Sequence, residues 1–156
     1  MEIEEFGRGG GQLVKVGAME LEGNLEIPEG AAGIVLFAHG SGSSRFSPRN
    51  RQVARALSDR GLATLLFDLM TRDEEEVDLR TRGLRFDIDF LAQRVIDALE
   101  WTAAWPATRG LKVGLFGSST GAAAALVAAA RRPALVGAVV SRGGRADLAG
   151  EALPFV

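Results

Sequence analysis

The hydrophobic pattern of the chain alternates between strand-like and helix-like stretches. Four short runs are almost continuously apolar, which is typical of strands covered on both faces by helices. They lie at residues 33–38, 62–67, 112–116 and 136–141. Upstream, residues 12–18 and 21–27 form partly alternating runs that end in a Pro-Glu-Gly turn. These two upstream runs predict an N-terminal antiparallel hairpin.

Helical patterns fill the gaps between the four apolar runs. Ser47 and Pro48 are typical of a helix start, and Gly61 is typical of a helix end. Residues 87–104 carry apolar side chains at helical spacing. Residues 119–132 are apolar almost all round, as expected for a buried helix.

This alternation from residue 33 onward predicts an α/β fold with a mostly parallel central sheet flanked by helices. We expect residues 1–156 to form one domain, because 47% hydrophobic and 24% charged residues suit a single globular core. In such sheets, function lies at the carboxyl ends of the strands. Candidate chemistry should therefore be sought in the loops that follow the strands.

Residues 70–86 depart from the apolar pattern, because a run of acidic side chains is followed there by three arginines. A solvated loop is the ordinary interpretation of such a charge run. The segment also follows the strand predicted at residues 62–67, so it could cover the strand ends as a lid loop. Both interpretations stay open at this point.

Composition and charge narrow the classes of partner. The 18 basic and 20 acidic residues nearly cancel, so neither nucleic acid nor a membrane surface is expected as a partner. Cysteine is absent, which excludes disulfides and a cysteine nucleophile. No metal or organic cofactor is implied. A small, nearly neutral molecule is the expected ligand.

No membrane or export signal is apparent in the sequence. The segment Met1–Glu5 carries acid where a signal peptide would carry basic residues. The longest apolar stretch, residues 121–130, is shorter than the about 20 residues that a spanning helix needs. A cytoplasmic location is the default expectation.

The sequence G-x-S-x-G at residues 117–121 is the main candidate for chemistry, with Ser119 at its centre. It lies between a predicted buried strand and a predicted buried helix, which is the context of a nucleophile elbow. Glycines two positions on either side of the serine leave room for the sharp turn. The helix start would also aim backbone N–H groups, including that of Thr120, at a developing negative charge. Ser119 is therefore the predicted nucleophile.

A second glycine-containing loop, His-Gly-Ser-Gly at residues 39–42, directly follows the first apolar strand. Together with the acidic turn after residues 65–67 and the G-x-S-x-G sequence, it makes residues 12–145 resemble the α/β-hydrolase superfamily, particularly its dienelactone-hydrolase-like members. The resemblance implies a serine esterase that acts on a carboxylic ester or related acyl bond. It also implies an oxyanion hole formed by the backbone N–H groups of Ser41 and Thr120.

The catalytic base is harder to place, because His39 is the sole histidine. In the family pattern the base follows the serine and the acid in chain order, whereas the histidine of the His-Gly loop holds that loop in place. The resemblance therefore implies that His39 and Gly40 organise the loop. Without a base, a serine hydroxyl is a poor nucleophile.

The catalytic acid also has no clear position. Asp147 follows the last predicted strand but suits an ordinary loop, and Asp68 suits a residue that organises its loop through its own backbone. The final apolar residues, 153–156, resemble the lead-in to another strand. We therefore expect the chain to be C-terminally incomplete and inactive by itself. The strand at 136–141 would then be a sheet edge, open to pairing with another copy of the chain.

Two other classes of function also use an α/β fold. A nucleotide-binding α/β domain is disfavoured, because neither glycine-containing loop has the G-x-G-x-x-G or the G-K-[ST] pattern. A non-catalytic binding or interaction module with a hydrolase fold remains open, and the missing histidine is its best support. Against it, a strained elbow has little purpose unless its serine reacts.

Overall fold

The computed structural model describes residues 11–156, so the expectation about Met1–Glu5 lies outside the described residues. These residues form a six-stranded sheet in the order β1-β2-β4-β3-β5-β6. Its strands are β1 (Gln12–Val16), β2 (Leu21–Glu26), β3 (Gly33–Ala38), β4 (Ala63–Phe67), β5 (Lys112–Ser118) and β6 (Ala138–Arg142). β1 and β2 form an antiparallel hairpin that joins β4 antiparallel, whereas β4, β3, β5 and β6 are mutually parallel. The predicted hairpin and mostly parallel sheet are confirmed.

Along the chain, helices come between the parallel strands. They are α1 (Pro48–Asp59), α2 (Arg72–Thr81), α3 (Ile88–Ala104) and α4 (Thr120–Arg131), with 3-10 turns at Leu84–Phe86 and Ala146–Phe155. The sequence predicts α1, α3 and α4. The Ser47 hydroxyl accepts the Asn50 N–H at 3.3 Å and so caps α1. No helix within the described part of the chain is both long and apolar enough to cross a membrane.

Alternating strand residues divide the core between the two faces of the sheet. On one face, residues such as Leu36, Leu65 and Leu115 pack against α3 and α4 in the larger hydrophobic cluster. On the other face, Phe37 and Phe116 pack against α1 with their ring centroids 5.2 Å apart. The carboxyl ends of β3 and β5 are thereby fixed side by side.

The interpretation of residues 70–86 as a loop is wrong, because most of the segment is helical. The Thr71 hydroxyl accepts the Glu74 N–H at 3.2 Å, and the Glu74 carboxylate accepts the Thr71 N–H at 2.9 Å. This reciprocal pair is a capping box, and it starts α2. The sequence T-x-x-E at residues 71–74 is a local signal for this helix start, although the segment is too charged to show an apolar stripe.

The last described residues pack back onto the core. Residues Ala146–Phe155 form 3-10 turns, and Ala149 is buried in the larger cluster. The expectation that residues 153–156 lead into another strand stays a prediction. β6 is an edge strand of the described sheet, and Val140 in it is 53% exposed. Its edge position agrees with the sequence, although its pairing with another chain stays a prediction.

Candidate active site

Ser119 occupies a one-residue turn between a strand and a helix. β5 ends at Ser118 and α4 begins at Thr120, so the whole reversal falls on Ser119, with φ 52° and ψ −122°. A side chain is rarely tolerated in this backbone region, and the cost is about 1–3 kcal/mol. Ser119 is exposed, and its side chain makes no capping hydrogen bond to α4. The strained turn therefore presents a hydroxyl to solvent.

The two glycines of the motif are required by close backbone contacts. A Cβ at Gly117 would overlap the backbone of Ala122, which agrees with crowding across the turn. A Cβ at Gly121 would instead overlap the carbonyl groups of Ala38 and His39 at the end of β3. The second glycine thus lets the first turn of α4 lie directly against the neighbouring strand end, a contact that the sequence did not indicate.

The His-Gly-Ser-Gly loop lies beside this turn. A Cβ on Gly40 would come within 3.3 Å of the Ser119 Cβ, so the loop backbone passes next to the serine. The Ser43 N–H donates to the Gly40 carbonyl at 3.1 Å and closes a tight turn. The Ser41 and Thr120 hydroxyl oxygens are 2.7 Å apart. The structure therefore brings Ser119, Gly40, Ser41 and Thr120 together.

Two backbone donors are available at this place. The turn, loop and cap hydrogen bonds found within residues 11–156 leave the N–H groups of Ser41 and Thr120 unused. An unused backbone N–H at a crowded position generally has a ligand or a functional reason. The α4 N-terminus adds the positive end of its dipole. The arrangement can accept a negatively charged oxygen.

His39 is buried beneath the loop and both of its ring nitrogens have partners. Nε2 accepts the Leu69 N–H at 3.1 Å, so the proton is on Nδ1, which lies 2.9 Å from the Gly40 carbonyl oxygen. Burial lowers the pKa of His39 below its usual 6.5, although the Gly40 carbonyl and Asp68 oppose this. A neutral, fully engaged imidazole can brace the loop. The loop-organising role of His39 and Gly40 remains a prediction that this geometry supports.

The two aspartates weighed as acids lie in different settings. Asp68 accepts the Arg45 N–H at 2.8 Å and its guanidinium at 2.5 Å, so it organises the loop through Arg45 rather than through its own backbone. Asp147 is exposed and paired with Arg145 at 3.0 Å, and the Arg145 hydrogen bond lowers the pKa of Asp147. Neither aspartate has a hydrogen bond to His39 among the described residues.

A polar cluster behind the turn was missed by the sequence reasoning. The Ser118 hydroxyl donates to the Asn50 side-chain oxygen at 3.2 Å, and Arg142 Nη2 lies 3.1 Å from Ser118 Oγ. The Ser119 N–H donates to the Arg142 carbonyl at 3.4 Å. These contacts join α1, β5 and β6 behind the serine. Nothing in the local sequence indicated them, because the residues are far apart along the chain.

Parallel strands with helices on both faces, and a strained serine turn at their carboxyl edge, define an α/β-hydrolase fold. No family model matches the chain. A dienelactone hydrolase of known crystal structure from Anabaena variabilis ATCC 29413 is 65% identical, with a TM-score of 0.89. The match covers 94% of this chain and 68% of that protein. The chain belongs to the dienelactone hydrolase family.

More distant structures share the fold. A dienelactone hydrolase-like promiscuous phosphotriesterase, P91, from metagenomic libraries is 25% identical, with a TM-score of 0.66 and coverage of 86% of this chain and 59% of that one. An α/β serine hydrolase homologue from Coxiella burnetii is 18% identical, with a TM-score of 0.69 and coverage of 92% and 66%. The second likeness concerns the fold alone.

Curated relatives carry a different name. Two Mycobacterium tuberculosis proteins, from strains CDC 1551 / Oshkosh and ATCC 25618 / H37Rv, are each named "Putative phosphoribosyl transferase". They are 57% identical to this chain over 143 residues, which is 92% of this chain. The chain spans only 31% of the length of these relatives.

Proposed function

We propose that the protein is a serine hydrolase that cleaves a carboxylic ester or related acyl bond of a small molecule, with Ser119 as the nucleophile. The observation that carries the proposal is the exposed Ser119 side chain on a strained backbone. The unused N–H groups of Ser41 and Thr120 beside it add support. Stored strain of this kind is typical of functional sites.

In the proposed reaction the Ser119 oxygen attacks the carbonyl carbon while its proton passes to a general base. The carbonyl oxygen becomes an oxyanion, which the Ser41 and Thr120 N–H groups stabilise. Collapse of this intermediate expels the alcohol, which takes the proton from the base. Water then attacks the acyl-enzyme by the same route and releases the acid.

We propose that neither the base nor its acid partner is among residues 11–156, because both ring nitrogens of the sole histidine are engaged. His39 would have to give up its contact with Leu69 or with Gly40 to act on Ser119. The dienelactone hydrolase from Anabaena variabilis extends beyond the match with this chain, which covers 68% of it. We propose the activity for a protein that carries such a base and acid, and we expect little activity where they are missing.

Labelling with a fluorophosphonate probe tests the proposal in the full-length protein. Such a probe phosphonylates an activated serine, so we expect labelling that the substitution Ser119→Ala abolishes. Ser43→Ala is the matched control, since Ser43 is an exposed serine of the neighbouring loop. Labelling that is absent, or unaffected by Ser119→Ala, would overturn the proposal.

A non-catalytic binding module is the second candidate, favoured by the engagement of the only histidine. Absence of Ser119-dependent labelling in the full-length protein would support this candidate. The phosphoribosyl transferase name of the Mycobacterium tuberculosis relatives describes proteins of which this chain matches 31%. We therefore assign no such activity to these residues.

A further inference from the structure

We propose that the side-chain hydroxyls of Thr120 and Ser41 are positioning groups that set the spacing of the oxyanion-hole N–H donors, and that residues 78–85 fasten them in place. The inference rests on the proposed function, because it concerns how the same site is held together. It also gives the segment 70–86 a role as a support for the site.

The direction of each hydrogen bond in this chain of contacts can be derived. The Ser41 hydroxyl donates to the Arg85 carbonyl oxygen at 2.9 Å, since a carbonyl can only accept. That bond uses the single proton of Ser41. In the 2.7 Å contact between the two hydroxyls, Thr120 must therefore be the donor. Thr120 therefore donates to Ser41, and Ser41 donates to the Arg85 carbonyl oxygen.

These two hydrogen bonds link the side chains of two neighbouring elements. Thr120 is the first residue of α4, whereas Ser41 belongs to the loop after β3. Their backbone N–H groups are the two proposed oxyanion donors, and the hydroxyl contact fixes how far apart they lie. A shared anion needs both donors at hydrogen-bond distance at the same moment. The hydrogen bond between the two side chains holds both donors at that spacing before the substrate binds.

The position of Arg85, and so of its carbonyl group, is fixed by Asp78 of α2. The buried Asp78 carboxylate accepts the Arg85 backbone N–H at 3.0 Å and its side-chain Nε at 2.9 Å. Asp78 is 2% exposed and the Arg85 side chain is 17% exposed, so water competes little for these bonds. Two contacts from one carboxylate fix both the backbone and the side chain of Arg85.

A second ion pair fastens α2 to the body of the protein. The Glu74 carboxylate binds the Arg94 guanidinium of α3 through two hydrogen bonds, of 2.8 Å and 2.6 Å. Burial by itself would raise the pKa of Glu74, but the Arg94 contacts and the Thr71 N–H outweigh it and lower the pKa. The support thus runs from α3 through α2 and Arg85 to Ser41 and Thr120.

The test uses the full-length protein and a fluorophosphonate probe, whose phosphonyl oxygen occupies the oxyanion position during the reaction. The substitution Thr120→Val removes the hydroxyl with little change in shape. We expect the maximal labelling rate of Ser119 to fall on the order of tenfold, less than the loss of a whole donor. The probe concentration at half-maximal rate should change less than about twofold, because ground-state binding is retained.

Three further variants make the result specific. Ser41→Ala should lower the maximal rate like Thr120→Val, and Thr120→Ser should restore it, since serine keeps the hydroxyl. Ser43→Ala, in the same loop but outside the contacts, should leave the rate unchanged. Thermal unfolding of each variant shows that it is folded.

The outcomes separate this inference from the proposed function. If the unmodified protein shows no Ser119-dependent labelling, the hydrolase proposal fails and this inference fails with it. If Ser119 labels but Thr120→Val and Ser41→Ala react at the unmodified rate, only the positioning role is overturned. A lower melting temperature with an unchanged labelling rate would likewise reduce the hydroxyls to a structural role.

Discussion

Two segments at the carboxyl edge of the sheet are held by different forces. The serine turn, residues 117–121, is fixed by steric exclusion, since Gly117 and Gly121 lie too close to neighbouring backbone to carry a Cβ. The segment 70–86 is fixed by buried and half-buried charges, chiefly Asp78 with Arg85. The serine turn should therefore be destabilised by added side-chain atoms but not by a change of pH. The segment 70–86 should be little affected by substitutions at its surface, and it should be destabilised when one of its charges is removed.

The two kinds of contact suit the two roles that we propose for these segments. The proposed nucleophile needs a closely fixed position, and hard-sphere contacts provide one without dependence on solvent. A supporting segment can be held by hydrogen bonds and ion pairs, which orient the groups that they join. Such contacts are lost when either partner is removed.

The largest effect is expected from Gly121→Ala. The added methyl group would overlap the Ala38 and His39 carbonyls, so α4 would have to move away from β3. We expect a loss of about 3 kcal/mol or more in the free energy of unfolding, measured with urea. Gly83→Ala is the control, because its nearest neighbour is 3.8 Å away and its φ is −79°. Equal effects at both positions would contradict steric control of the turn.

A slightly smaller effect is expected from Asp78→Ala. It removes the buried partner of Arg85 and leaves the guanidinium and the Arg85 N–H without an acceptor. The expected loss is about 3 kcal/mol in the free energy of unfolding, as for other broken buried pairs. Glu76→Ala, an exposed change on the same helix, should stay within about 0.5 kcal/mol. An unchanged free energy of unfolding in Asp78→Ala would show that the segment is not held by charge.

A moderate, pH-dependent effect is expected from His39. Because burial lowers its native pKa below 6.5, the unfolded chain binds the proton first as the pH falls. The stability that His39 contributes is complete above pH 6.5 and declines below it, until the native pKa is reached. The decline is at most about 1.4 kcal/mol per pH unit.

The variant His39→Gln isolates this effect, since its amide oxygen can still accept the Leu69 N–H. Urea unfolding between about pH 5 and 7.5 should show a shallower slope in the variant than in the unmodified chain. Asp68 and Glu75 oppose the shift at His39 and are the same in both proteins. Identical slopes would contradict a buried, neutral His39.

The smallest effect on stability is expected at β6, the strand beside the serine turn. Its exposed edge should let copies of the present chain associate, and we propose pairing through residues 136–141. Val140→Lys, at a side chain that is 53% exposed, should shift light scattering towards the monomer. The free energy of unfolding should change by less than about 0.5 kcal/mol. A clean monomer of the unmodified chain at high concentration would contradict the association.

The same contrast explains what could be predicted from the sequence. The serine turn, the strands and three of the helices depend on signals spread over a few residues, such as the G-x-S-x-G spacing and Pro48 after Ser47. The helix in 70–86 also had a local signal in Thr71 and Glu74, but it is strongly charged and has no apolar stripe. One of the contacts that hold it, the ion pair of Glu74 with Arg94, joins residues twenty positions apart.

Side-chain contacts between distant residues could not be predicted. Ser41 and Thr120 were named for their backbone N–H groups, whereas their hydroxyls meet only because β3 and β5 are neighbours. Ser118 likewise meets Arg142 through the pairing of β5 with β6, and Asn50 through the packing of α1 on the sheet. Sequence patterns predict which elements form, and the register of the strands then decides which side chains touch.

The most direct test of the central claim is to locate the fluorophosphonate adduct by peptide mass spectrometry in the full-length protein. The expected result is a single adduct on Ser119. Its hydroxyl is exposed on the strained turn, whereas the Ser118 hydroxyl is hydrogen-bonded to Asn50. An adduct on Ser118, Ser41 or Ser43, or no adduct at all, would contradict the assignment of Ser119 as the nucleophile.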